Sequence, residues 1–231
     1  MPTQLRSPED TPPAAAATVA EAGVARYDSA HTALVLVGFQ NVFFSPVGAL
    51  HGEIEGVGVS ETALGRAVAL LTALAASDVL IIEAPLGFAP GYPELGTPVG
   101  VLAAVKDNRA FQAGTFGSRT VDAFIPFRSR LVTFEGRRGF SAFTNTQLHD
   151  ALAAKGITDV VVAGALACLC VDSTARGAHE RGYRVTVLSD CTVGRSKMEH
   201  DLFCRRIYPL YADVVTSAQL IARLDHAMFP L

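Results

Sequence analysis

Five short runs of aliphatic and β-branched residues punctuate the chain: Ala33 to Val37, Val79 to Ile82, Arg130 to Phe134, Asp159 to Ala163 and Arg184 to Leu188. They read as near-continuous apolar stretches, so each predicts a strand buried on both faces. Asp213 to Val215 supplies a sixth. Between and after these runs the apolar period lengthens, predicting helices over Glu61 to Ala76, Asn145 to Ala154, Val171 to Arg181, Ser196 to Ile207 and Ser217 to Met228. Strands alternating with helices imply a parallel sheet joined by crossovers, with helices on both faces. The predicted class is therefore α/β, a three-layer α/β/α domain around a mainly parallel six-stranded sheet. Gly87 to Phe127 fits neither period and is rich in Gly and Pro, the mark of an irregular excursion at a binding edge. Residues 1–26 are dominated by Ala, Pro, Glu and Thr without a sustained apolar period, which predicts a flexible arm ahead of one domain over residues 27–231, the alternative being a strand or helix that docks on a neighbour.

Composition narrows the function classes. Half of the 231 residues are hydrophobic and 18% charged, which suits a folded core rather than a disordered chain. The formal charge is only -3 and no stretch gathers Lys and Arg into a stripe, so nucleic acid is not an expected partner. No apolar run is long enough to span a membrane, and the start lacks the basic-then-apolar pattern of a leader. A cytoplasmic protein acting on a small molecule is expected, with other copies of itself as the other partner. The four cysteines, Cys168, Cys170, Cys191 and Cys204, match neither a zinc spacing nor a secreted disulfide framework, and reduced thiols are expected.

In an open parallel sheet, ligands bind beyond the carboxyl ends of the strands. Cys170 falls there, after the fourth strand and at the opening of the helix Val171 to Arg181. A thiol so placed feels the positive end of the helix and its free N–H groups, which favours the thiolate and could also hold an oxyanion. The competing reading is a small buried hydrophobe, which most free cysteines are. Cys168 and Cys204 read as packing residues, and Cys191, though at the same edge, has no evident activator.

The segment Ala163 to Arg176 (AGALACLCVDSTAR) and its sequel Ala178 to Val185 resemble the nucleophile region of the isochorismatase-like cysteine hydrolase family. Gly139 to Thr146 is similar to that family's Ser-Ala-Phe stretch, and Phe39 to Phe43 to its first-strand motif. The resemblance runs from about Ala33 to the C-terminus. It implies strand order 3-2-1-4-5-6, dimers or larger assemblies, and C–N bond hydrolysis by a Cys, an Asp at the end of the first strand and a Lys after the third. It also implies a cis peptide between Ala165 and Leu166, with Leu166 and Cys170 as oxyanion donors.

Two positions depart from that pattern. The Asp position holds Gly38, and the Lys position holds Arg137, whose guanidinium stays protonated. Three readings of the missing acid stay open. Another carboxylate has taken the role, with Glu83 leading, unless it is an ordinary strand-end salt bridge or turn residue, and Glu135 next, unless it neutralises Arg137 or Arg138; or a preformed thiolate needs no protein base; or hydrolysis has been lost and the pocket binds a ligand or performs another thiol-dependent reaction. The catalytic set expected is thus Cys170, Arg137 and Glu83. Gly38, Phe39, Gln40, Phe44 and Phe88 are candidate substrate contacts, each also readable as core, and Arg138 could add anion affinity. The family's metal-binding Asp and His have no counterpart in Glu83 to Phe88, so neither a metal nor any other cofactor is expected.

Overall fold

The computed structural model describes residues 26–55 and 60–225. The expected arm lies outside the described residues except for Arg26, whose guanidinium pairs with Asp225 and whose carbonyl accepts from Arg184.

The elements in order are β1 (Tyr27–Asp28), β2 (Thr32–Val37), α1 (Asn41–Phe44), α2 (Gly52–Glu55), α3 (Ser60–Ala73), β3 (Leu80–Glu83), α4 (Val101–Asp107), β4 (Leu131–Thr133), α5 (Leu148–Ala154) and β5 (Asp159–Ala165). They continue with α6 (Asp172–His179), β6 (Arg184–Val193), α7 (Lys197–Leu202), β7 (Asp213–Val215), α8 (Ser217–Arg223) and β8 (Leu224–Asp225). Six strands form one sheet in the order β4-β3-β2-β5-β6-β7, every pair parallel. Counted within the sheet, this is the order 3-2-1-4-5-6.

Strand alternation divides the core in two. Ala33, Val35, Val37, Ile82, Val160 and Val162 face Leu148 and Leu152 of α5 and Ala175 and Ala178 of α6. Leu34, Leu36, Ile81 and Val161 face Ala67, Leu70 and Leu71 of α3, Leu74 just beyond it and Leu220 of α8. The sheet is therefore covered on both sides, which is why its strands read as unbroken apolar runs.

Each of the five predicted helices is shorter as an α-helix in the structure, and in two of them the cause is visible. Asn145 takes a positive φ of 58°, so α5 starts at Leu148. The helix expected to reach Met228 stops at Arg223, because Leu224 and Asp225 turn extended and pair with Tyr27 and Asp28. The irregular excursion is a folded cover: its Phe88, Tyr92, Val105 and Phe111 pack with Phe43 and Leu86 on Ala165, Leu166 and Val193 at the carboxyl edge of the sheet.

Candidate active site

Cys170 lies at the carboxyl end of β5, where the chain must leave the sheet and start a helix. A five-residue wide turn, Ala167–Val171, runs directly into α6. The Leu166 carbonyl accepts from Leu169 N at 3.1 Å and Val171 N at 3.2 Å, so Leu166 is the cap of this helical stretch and Cys170 sits in its first turn. The Tyr208 hydroxyl donates to Ala167 O at 2.7 Å and holds the turn from the far side. The peptide between Ala165 and Leu166 is cis. Cys170 is 6% exposed and packs with Val35, Val37, Ile82, Ala84 and Val171 on the α5/α6 face.

The segment from Arg137 to Phe143 is clamped to the same layer. Ala142 N donates to Thr174 Oγ1 at 2.9 Å, one turn beyond Cys170, and Phe140, Ala142 and Phe143 join the cluster that holds Cys170. Arg137 is wholly buried; its Nη1 donates to Phe140 O at 2.9 Å, while Nε and Nη2 have no partner among the described residues. Its backbone bridges to Leu86 just beyond β3, which keeps it at the carboxyl edge.

Glu83 is not brought to Cys170. Strand alternation turns it to the Leu36 and Ile81 side, opposite Ile82 and Cys170, and both carboxylate oxygens are engaged, by Thr120 Oγ1 at 2.8 Å and Thr133 Oγ1 at 2.6 Å. Glu135 is exposed and pairs with no arginine among the described residues; Arg138 instead approaches Glu94 at 3.9 Å. Among the described residues no carboxylate hydrogen-bonds the Cys170 thiol.

The proposed substrate contacts are mostly committed elsewhere. Gln40 is 1% exposed and spends its amide on the backbone, donating to Leu86 O and Ser118 O and accepting from Leu86 N, so it stitches two loops together. Phe39 stacks on Phe44 at 5.3 Å and leans on Phe124, on the face away from Cys170. Phe88 is buried against Tyr92 in the cover. Gly38 opens no space: φ is +71°, and a Cβ there collides with the Ala165 carbonyl oxygen. The requirement at Gly38 is close approach of two strand ends.

A cavity of about 760 Å³ is lined by Glu83, Phe88, Glu94, Arg119, Phe124 and Arg138 among others, and Cys170 is not among its walls. A crevice of about 10 Å³ between Gly38, Phe39, Gln40 and Glu83 is too small for a ligand. Since chemistry needs a reactive group at the ligand, Cys170 and not cavity size marks the candidate site. No three His, Cys, Asp or Glu side chains among the described residues are grouped to hold a metal ion, and no described helix is long and apolar enough to cross a membrane.

The surroundings of the other thiols hold them protonated. Burial, reinforced by the Glu199 carboxylate, pushes Cys168 up to about 12, and burial followed by Asp201 pushes Cys204 up to about 12. Burial and Asp190 also raise Cys191. These favour the protonated, unreactive form. Thr174 and Tyr208, which fix the turn carrying Cys170, were not singled out in the sequence. A lone Thr or Tyr on a helix carries no signal of which loop it will meet.

The family model for the Isochorismatase domain matches residues 32–219. A ureidoacrylate amidohydrolase from Methylobacterium radiotolerans is 31% identical over 180 residues, covering 71% of this chain and 68% of that protein. Among solved structures, a cysteine hydrolase from Pseudomonas syringae aligns with a TM-score of 0.73 at 23% identity, over 86% of this chain and 94% of that one. N-carbamoylsarcosine amidase from Thermoplasma acidophilum aligns with a TM-score of 0.64 at 26% identity, over 80% of this chain and 96% of that one.

Proposed function

The chain belongs to the isochorismatase family, and we propose that it is a cysteine-dependent hydrolase of an amide-like C–N bond in a small molecule. The observation that carries the reading is Cys170 itself: it stands in the first helical turn beyond β5, at the carboxyl edge, in a chain similar to two enzymes that are named as amide-bond hydrolases.

In this reading the Cys170 thiolate attacks the carbonyl carbon, forming an S–C bond and pushing the carbonyl electrons onto oxygen. The N–H groups of Leu166 and Cys170 receive that oxyanion. As the carbonyl reforms, the C–N bond breaks and the amine leaves with a proton from solvent or substrate. Water then cleaves the thioester and frees the thiol. Glu83 has no part, since it faces the other side of the sheet. Arg137 supplies a fixed positive charge in the same layer, and no metal or organic cofactor is required.

The reading also carries self-association and a cytoplasmic location, the former checked by light scattering at micromolar concentration. A second reading, a homologue that binds without hydrolysing, is favoured by one observation: no carboxylate is hydrogen-bonded to Cys170 among the described residues. Candidate ureido and amide compounds incubated with wild type and Cys170→Ala, followed by intact mass and released amine or ammonia, separate the two. An adduct on Cys170 and turnover lost in Cys170→Ala are expected. Undiminished turnover in Cys170→Ala rejects covalent catalysis, and binding without an adduct or turnover supports the second reading.

A further inference from the structure

Arg137 poses a problem that the proposed reaction leaves unsolved. Arg138, Arg176 and Arg184 each reach a carboxylate from a partly exposed position, whereas Arg137 is wholly buried and has none among the described residues. A lysine could escape such a place by giving up its proton, but a guanidinium cannot. A permanent charge removed from water therefore calls for an anion.

The pair of nitrogens left without a partner says what kind. Nη1 is used on Phe140 O, leaving Nε and Nη2. Those two lie along one edge of the guanidinium plane with their N–H bonds side by side, the two-pronged edge that matches the two oxygens of a carboxylate. The chain does not supply that group from the neighbouring strand ends. Gly38 has no side chain and no room for one, Glu83 is held by Thr120 and Thr133 on the opposite face, and Glu135 stands in solvent.

We propose that the Nε and Nη2 edge of Arg137 receives a carboxylate of the substrate, so that the protein acts on a small acid bearing a second, amide-like group. The clamp of the 137–143 segment on α6 ties the segment carrying Arg137 to the helix that follows Cys170. The inference rests on Cys170 as the nucleophile of the proposed hydrolase.

The test uses two alkylating probes of the same size, iodoacetate and iodoacetamide, with labelling of each cysteine followed by peptide mass mapping. At Cys170 the ratio of iodoacetate to iodoacetamide rates is expected to exceed that of free glutathione by about tenfold or more, the value of one charge-assisted contact. Arg137→Gln is expected to abolish the preference and Arg137→Lys to keep part of it. On the wild type, which avoids any loss of fold in the variants, propionate is expected to slow iodoacetamide labelling of Cys170, whereas propionamide and inorganic phosphate do not. Protection by phosphate but not propionate overturns the assignment to a carboxylate. Labelling of Cys170 by iodoacetamide with neither an iodoacetate preference nor propionate protection overturns the inference and leaves the nucleophile standing. A Cys170 inert to both reagents overturns the nucleophile as well.

Discussion

Replacing Gly38 tests whether the glycine at the end of β2 is a packing requirement. Its φ of +71° is a conformation that costs a Cβ-bearing residue about 1–2 kcal/mol. The added Cβ would meet the Ala165 carbonyl oxygen and lie 3.0 Å from its carbon, and a backbone group has no rotamer into which to retreat. Forcing atoms into a packed site typically costs a further 1–3 kcal/mol or so, giving about 2–5 kcal/mol for Gly38→Ala. For a chain of this size that is a fall in Tm of roughly 4–20 °C. Gly38→Asp brings a carboxylate towards the same carbonyl oxygen and is expected to be at least as unstable, with no gain in amide hydrolysis. Urea unfolding and calorimetry of wild type, Gly38→Ala and Gly38→Asp measure this. Gly87→Ala serves as the control: its φ is not positive, a Cβ there meets nothing within 4 Å, and a change within about 0.5 kcal/mol is expected. A Gly38→Ala protein as stable as wild type, or a well-folded Gly38→Asp protein with enhanced turnover, would refute the reasoning.

Three further outcomes are expected. Glu83→Gln keeps turnover within a factor of about three, against the roughly 100- to 10,000-fold loss that removing a general base brings, and steady-state rates on any turned-over amide decide it. Arg130 Nη2 reaches the carbonyls of Leu74, Ser77 and Val79 beyond α3, so Arg130→Gln is expected to lower unfolding free energy by about 1.5–3 kcal/mol in denaturant titrations. Cys168 and Cys204 keep their protons up to about 12 in the folded chain, whereas an unfolded thiol loses its proton near 9.0. Their contribution is therefore intact below pH 9 and falls as pH rises towards 12, and Cys204→Ala should flatten that alkaline loss of stability in pH-dependent melts.

The apolar runs sufficed to place all six main strands, because a parallel sheet covered on both faces demands side chains that need no water on either side. The same logic put Cys170 at the productive edge: a strand that ends before a helix must deliver its turn residues there. Local pattern went no further than such neighbours along the chain. Whether α8 ran on to Met228 depended on Leu224 and Asp225 finding Tyr27 and Asp28, a pairing between distant segments. The side of the sheet on which Glu83 stands relative to Cys170 depended on how a strand and a separate turn are phased across β2, which no single segment records. Gln40 looked like a ligand group and is a stitch between Leu86 and Ser118, loops whose meeting has no periodic signature. The residue types at Gly38 and Arg137 were plain from the sequence, yet their meaning was not. Only the approach of Ala165 made the glycine obligatory, and only the bridge of the Arg137 backbone to Leu86 and the bond of its Nη1 to Phe140 left a buried charge with two donors to spare.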